Sequence, residues 1–233
     1  MMNNAPADAL SWYYDIPIVT RLYLTLAFMT TALCQVDAFS HFKLLYNWTL
    51  ICNGEVWRLV TTFFYFGALD LNFLFHMYFL VRYCRLLEEG DFRGRTGDFV
   101  WFLLICAVLM LVAAPYLTIM SLAHPLAFMM VYVWGRRNEH VRMNFLGVLP
   151  FTAPYLPWVL LAFSTLMDAS LESDMLGIAV GHLFYFLEFV YPQVAQIRGW
   201  NVKQLVRAPR IVQQLCGQIP PDGNPIPAVV PGD

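Results

Sequence analysis

Charge is what this chain has least of. Only 13% of its 233 residues are Asp, Glu, Lys or Arg, whereas 59% are hydrophobic and 16% aromatic. A water-soluble domain is about a quarter charged and roughly half apolar. So little charge cannot clothe a water-facing surface, which excludes a soluble globular domain and implies that lipid covers much of the chain. The net charge of −2 decides little, because the position of Lys and Arg orients a membrane protein, not their sum. Cysteine pairing is lacking too. Cys34, Cys52, Cys84, Cys106 and Cys216 are five, an odd number, with no C-x-x-C pair. Neither a disulfide framework nor a zinc site is expected from that spacing, and no metal or cofactor is expected elsewhere. The opening MMNNAPADALSWYYDIP holds two acids and no base, so it lacks the positive region of a secretory signal peptide. The first apolar run is expected to serve as its own insertion signal.

What is present is a series of apolar runs. A spanning helix needs about 20 mostly apolar residues, and backbone in lipid must be hydrogen-bonded internally. The runs predict spans at about Ile18–Val36, Leu69–Tyr83, Tyr155–Leu171 and Met175–Tyr191. The 36 residues Phe99–Trp134 would make one helix of about 54 Å, too long for a single crossing of a core of about 30 Å. Two short spans joined by a tight turn near Pro115 to Pro125 fit better, which brings the expected number to six. An acidic turn at Glu172-Ser173-Asp174 is expected before the sixth. With both termini cytosolic, twelve of the fourteen Lys and Arg residues fall on one side, leaving only Lys43 and Arg58 opposite; that excess marks the cytosolic face. The expected organisation is a cytosolic N-terminal segment (1–17), a six-helix membrane domain (18–192), a basic juxtamembrane segment (193–218) and a tail (219–233). The tail has five prolines and is expected to be extended and disordered. The juxtamembrane segment mixes Arg198, Lys203, Arg207 and Arg210 with Trp200, Leu205, Val206 and Ile211; it suits either an anionic leaflet surface or plain solvation.

Several positions could carry function. Trp57-Arg58 stands before the aromatic cluster Phe63–Phe66. Its plain reading is an interfacial anchor, with the Trp ring at headgroup level and the Arg stem in apolar surface. The sharper reading is a loop folded into the lumenal leaflet, with Arg58 holding backbone carbonyls. Gly177 and Gly181 have the small-xxx-small spacing that lets membrane helices approach closely. Asn72 and His76 share a helix face, and with His182 they are candidate polar positions inside the bundle, where such groups often line a pathway. A lone membrane histidine more often bonds a neighbouring helix. Glu188 is expected to reach water, and Asp70 and Asp168 to be solvated. Asn47-Trp48-Thr49 fits the N-glycosylation pattern, although Trp48 holds it close to the bilayer.

Trp57-Arg58, FFYFG, RYCRLLEEGDFRGRTGDF, Tyr132-Val133-Trp134, YLPW from Tyr155 and GHLFYFLEFVYP from Gly181, in this order, resemble the Derlin family, the inactive rhomboid-like proteins of endoplasmic-reticulum-associated degradation. The resemblance runs from about Trp12 to Arg210. It implies an all-α, six-helix rhomboid-like bundle in the ER membrane. It also implies passage of misfolded lumenal or membrane proteins toward the cytosol, with a membrane-embedded RING ubiquitin ligase and a cytosolic AAA ATPase as partners, and a homo-oligomer as a further option. The family's Trp-Arg pair maps to Trp57 and Arg58, and its sixth-helix small-residue motif to Gly177 and Gly181. After Cys216 the chain has no aromatic residue, so recruitment of the ATPase is expected through a partner. A rhomboid-type serine protease is the alternative, with Ser121 and His182 as its pair. Ala123 falls about where the nucleophile belongs, and Ser121 has no flanking glycines to expose its hydroxyl, so no catalysis is expected. A small-molecule transporter ranks third, since paired repeats and a broken helix with a site are lacking.

Overall fold

Six long helices in chain order carry the architecture of the computed structural model, which describes residues 11–145, 149–166, 170–198 and 208–218. Helix α1 is Ile18–Gln35, α2 Leu71–Leu86, α3 Thr96–Ala113, α4 Ala123–Arg137, α5 Leu156–Leu166 and α6 Leu171–Tyr185. A short helix α7, Arg210–Leu215, follows. Among the described residues three stretches are long and apolar enough to cross a membrane, Ile18–Gln35, Thr96–Tyr116 and Leu171–Ile197, while Ala153–Leu166 is apolar but shorter. The protein is thus a mostly helical membrane protein.

The outside of the bundle is as apolar as its inside. On α3, Leu104, Val108 and Val112 form an exposed stripe at four-residue spacing, while Phe99, Phe102, Cys106 and Met110 face inward. That pattern suits a helix with protein on one side and hydrocarbon on the other. Helix α4 is the central element; every residue from Met129 to Gly135 is buried. It packs chiefly along α6 and α2.

The starts of α1 and α2 are each met by a carboxylate. Pro17 precedes α1, whose first free amides at Val19 and Thr20 donate to the Glu88 carboxylate at 3.0 and 2.8 Å. The Thr20 hydroxyl adds a third bond at 2.8 Å. Glu88 is buried because a π-helical turn, Leu87–Asp91, rotates it inward after α2. The helix N-terminus offers unpaired N–H groups and a partial positive charge, which is why a carboxylate settles there. Asp70 caps α2 by accepting from the Phe73 amide at 2.8 Å, so it is a structural cap and not merely solvated.

Four expectations need correction. The fold is not purely helical, since Arg142–Phe145 and Leu149–Thr152 pair as an antiparallel hairpin between α4 and α5; Pro150 is tolerated there because an edge strand has donors to spare. Pro125 is not part of the turn after α3, but sits in the first turn of α4, where a missing N–H costs nothing. The third helix is not short, at 18 residues before a 3-10 turn at Ala114–Tyr116, whereas the described part of α5 has 11. Glu172, Ser173 and Asp174 form the first turn of α6 and not a loop, consistent with the favourable place of acids at a helix start. At its other end α6 continues through a π-helical stretch, Phe186–Val190, into Tyr191–Ile197. The wider turn accommodates Pro192, which cannot donate to the preceding turn and crowds it. Asp168, Trp200, Lys203, Leu205, Val206, Arg207 and the tail 219–233 lie outside the described residues.

Replacing Glu88 by Ala should lower the thermal midpoint in detergent by the equivalent of about 1–2 kcal/mol, the usual range for a lost cap, with Glu88→Gln between the two. Unchanged melting of Glu88→Ala would show that the carboxylate does not hold α1.

Candidate functional site

Between α1 and α2 the chain makes a 3-10 turn at His41–Lys43 and two short helices, Trp48–Cys52 and Arg58–Thr61. Asn47 caps the first, accepting from the Leu50 amide at 3.2 Å, so its side chain has a structural task. Glu55 stands three residues before Arg58 and binds its Nε and Nη2 at 2.6 and 2.5 Å. That leaves Nη1 free to donate to the carbonyls of Phe42 and Leu45 at 2.5 and 2.8 Å. The Trp57 indole N–H reaches the Lys43 carbonyl at 3.3 Å and the Thr61 hydroxyl the Leu44 carbonyl at 3.2 Å. Four successive carbonyls, Phe42 to Leu45, are therefore satisfied by one turn of chain. Arg58 is only 4% exposed, whereas Trp57 is 50% exposed. The guanidinium holds backbone carbonyls, the contact one of its two readings called for, while the indole ring stays half exposed.

The following backbone is tied down in the same way. Tyr23 on α1 donates to the Phe63 carbonyl at 2.8 Å. Ser121 donates to the Tyr65 carbonyl at 2.7 Å, and the Leu122 amide to the Thr62 carbonyl at 3.1 Å. The Tyr46 amide donates to the Met120 carbonyl at 2.7 Å. This irregular segment is thus joined both to α1 and to the entry of α4, and its Thr62, Phe63 and Tyr65 carbonyls have protein partners. Non-helical backbone is tolerated near hydrocarbon only under that condition.

Asn72 and His76 come together with His124 and Ser164 around a cleft of about 50 Å³ between α2, α4 and α5, walled by rings that include Phe75 and Phe163. The His76 and His124 rings meet edge to face with centroids 4.1 Å apart. Ser164 also bonds Asp174, which is buried at the start of α6. Sequence reasoning missed His124, Ser164 and Asp174 as members of this cluster, because they come from three helices with no shared spacing. His182 is not part of it. Its Nδ1 pairs with the Tyr132 hydroxyl at 2.7 Å, the neighbour-helix bond ordinary for such a residue. The hydrogen bonds of Ser121 and His182 go to different partners, not to each other. No group of three or more metal-ligating side chains occurs among the described residues.

Gly177 and Gly181 lie where α6 meets α4. A Cβ at Gly177 would stand 2.6 Å from the Pro125 carbonyl oxygen and 2.8 Å from Phe128 Cβ. At Gly181 the nearest atom would be Tyr132 Cδ1 at 3.0 Å.

This geometry now meets comparison with known proteins. Residues 16–206 match the Der1-like family. The chain belongs to that family. Derlin-2.1 of Arabidopsis thaliana is 48% identical over 209 residues, covering 84% of this chain and 86% of that protein. Derlin-2 of Oryza sativa subsp. japonica is 47% identical over the same length. The probable derlin-2 homolog of Dictyostelium discoideum is 38% identical over 226 residues, or 94% of this chain. The Trp57-Arg58 turn, the Asn72–His76 cleft and both glycines fall within the Der1-like match.

In this Der1-like chain Gly177→Val should cost about 1–3 kcal/mol through overpacking, seen as a lower melting point and loss of a single elution peak in mild detergent. Gly181→Ala should do less, since the nearest backbone atom there, the Met129 carbonyl oxygen, stands at 3.3 Å and not at 2.6 Å. Wild-type behaviour of Gly177→Val would contradict the close approach of α4 and α6.

Proposed function

We propose that this chain is a non-catalytic component of ER-associated degradation, resident in the ER membrane with six spanning helices and both termini in the cytosol. Membership of the Der1-like family, with its Derlin relatives, supports a Derlin-type role in general. The observation that carries the finer reading is a mostly apolar cleft that holds four polar side chains, set among short helices. Helix α2 has 16 residues before its π-helical turn, α4 has 15, and the described part of α5 has 11. At 1.5 Å per residue they measure about 24, 22 and 16 Å, against a hydrocarbon core of about 30 Å. A bilayer meets such short spans by thinning.

Asn72, His76, His124 and Ser164 then offer hydrogen-bond partners at the depth where a misfolded chain lacks them. Each unsatisfied backbone group in hydrocarbon costs roughly several kcal/mol, so a thin membrane with a few polar groups along the path lowers the barrier to passage. The Arg58-held turn keeps the lumenal side of this path ordered without exposing its own carbonyls. The separate hydrogen bonds of Ser121 and His182 support a bundle that breaks no peptide bond. A membrane-embedded RING ubiquitin ligase is the proposed partner in the bilayer. A cytosolic AAA ATPase, recruited through a partner, supplies the pull, and assembly of several copies is compatible with the reading.

Two paired variants test it. In cells carrying only the variant, Asn72→Leu with His76→Leu, and separately Trp57→Ala with Arg58→Ala, should lengthen the half-life of a misfolded ER protein severalfold at normal abundance. An unchanged half-life for the Asn72–His76 pair would remove the cleft from the pathway. Cleavage of a transmembrane reporter by the purified protein, lost in Ser121→Ala, would overturn the non-catalytic reading.

A further inference from the structure

The motif Gly97-Asp98 plays no part in the path described above, yet it holds the C-terminal segment. Asp98 stands in the first turn of α3. Its Oδ1 accepts from the Ala208 amide at 3.3 Å and from Gln213 Nε2 at 3.2 Å. Its Oδ2 accepts from Gln218 Nε2 at 3.2 Å, and the Asp98 amide donates to Gln218 Oε1 at 3.3 Å. Gly97 is what lets the chain come this close, because a Cβ there would lie 2.9 Å from Gln213 Cα. A helix as short as α7 is not stable alone in water; this dock supplies its stability.

Helix α7 docks by its polar face. Gln213 is 3% exposed, whereas Ile211 and Leu215 are 71% and 82% exposed. At about 100° per residue the two aliphatic side chains lie opposite Gln213. The helix therefore presents its apolar face outward, the reverse of what water favours.

We propose that α7 is a leaflet anchor, fixed to α3 by Gly97 and Asp98 and burying Ile211 and Leu215 in the lipid at the end where α3 enters the bilayer. Three observations select lipid as the occupant. The dock lies on the first turn of a helix whose exposed stripe of Leu104, Val108 and Val112 continues into the hydrocarbon. Arg93, Arg95 and Arg210 are all exposed at this end, and basic side chains beside an apolar face suit anionic headgroups. A face of two side chains is far below the roughly 800 Å² per partner of a stable protein interface, whereas lipid imposes no such minimum. The anchor is independent of the role proposed in degradation.

The test uses the full chain in nanodiscs containing phosphatidylserine, with native cysteines replaced by alanine and a fluorescent label at position 211, 215 or 214. Labels at 211 and 215 should be quenched by acyl-chain nitroxide lipids at least threefold more than a label at 214, and shielded from aqueous iodide. Iodide quenching at 211 and 215 equal to that at 214 would overturn the anchor, and so would protection from both quenchers, which marks contact with a second copy. Hydrogen exchange on the unlabelled chain gives a second readout. Asp98→Ala should speed exchange of the 208–218 amides at least tenfold while those of α4 stay slow; unchanged exchange of that segment would overturn the dock.

Discussion

Backbone without regular structure cannot lie against hydrocarbon unless every carbonyl and amide finds a partner, and Arg58 is the residue that meets this constraint here. A guanidinium offers five donors in a fixed fork. Two of its nitrogens are taken by Glu55, and the third serves the Phe42 and Leu45 carbonyls. The partnered carboxylate matters, because a buried cation with no counter-charge is costly. With the segment between α1 and α2 settled in this way, Tyr23, Thr62 and Ser121 tie it to α1 and to the entry of α4.

The opposite end uses the same device with the sign reversed. Glu88 receives backbone amides from the start of α1, and Asp98 receives the Ala208 backbone amide and the Gln213 side-chain amide. The chain has little charge, and these three side chains direct it at backbone more than at one another. Exposed pairs such as Arg85–Glu89 add only about 0.3–0.5 kcal/mol. Scarce charge therefore fixes where segments begin, turn and dock, while apolar surface is left to lipid. That division also explains how short helices can persist: α2 is capped by Asp70 and packs along α4, and α4 packs closely along α6, so their length need not match the bilayer.

Much of this was legible in the sequence, for identifiable reasons. Low charge and long apolar runs require a membrane, and the ordered motifs from Trp57 to Pro192 resemble the family that the chain belongs to. The glycine spacing at Gly177 and Gly181 pointed to close approach, and α6 meets α4 at both positions. The Arg58 bonds to carbonyls were one of two readings, since a Trp-Arg pair alone does not distinguish an anchor from a clamp; Glu55 at three residues' distance was the unused signal. What escaped was long-range. Glu88 and Thr20 are 68 positions apart, and Asp98 and Gln218 are 120. A carboxylate in a loop reads as solvated until the fold brings an amide to it. The hairpin between α4 and α5 escaped because four-residue strands carry almost no periodic signal.

The account stands on Arg58 holding the turn at Phe42–Leu45, and amide hydrogen exchange compared between wild type and Arg58→Ala in nanodiscs tests that directly. The account predicts that the amides of Lys43, Leu44 and Tyr46 exchange at least tenfold faster in the variant, while those of α4 and α6 keep their protection. Equal protection of all three amides in both proteins would contradict it.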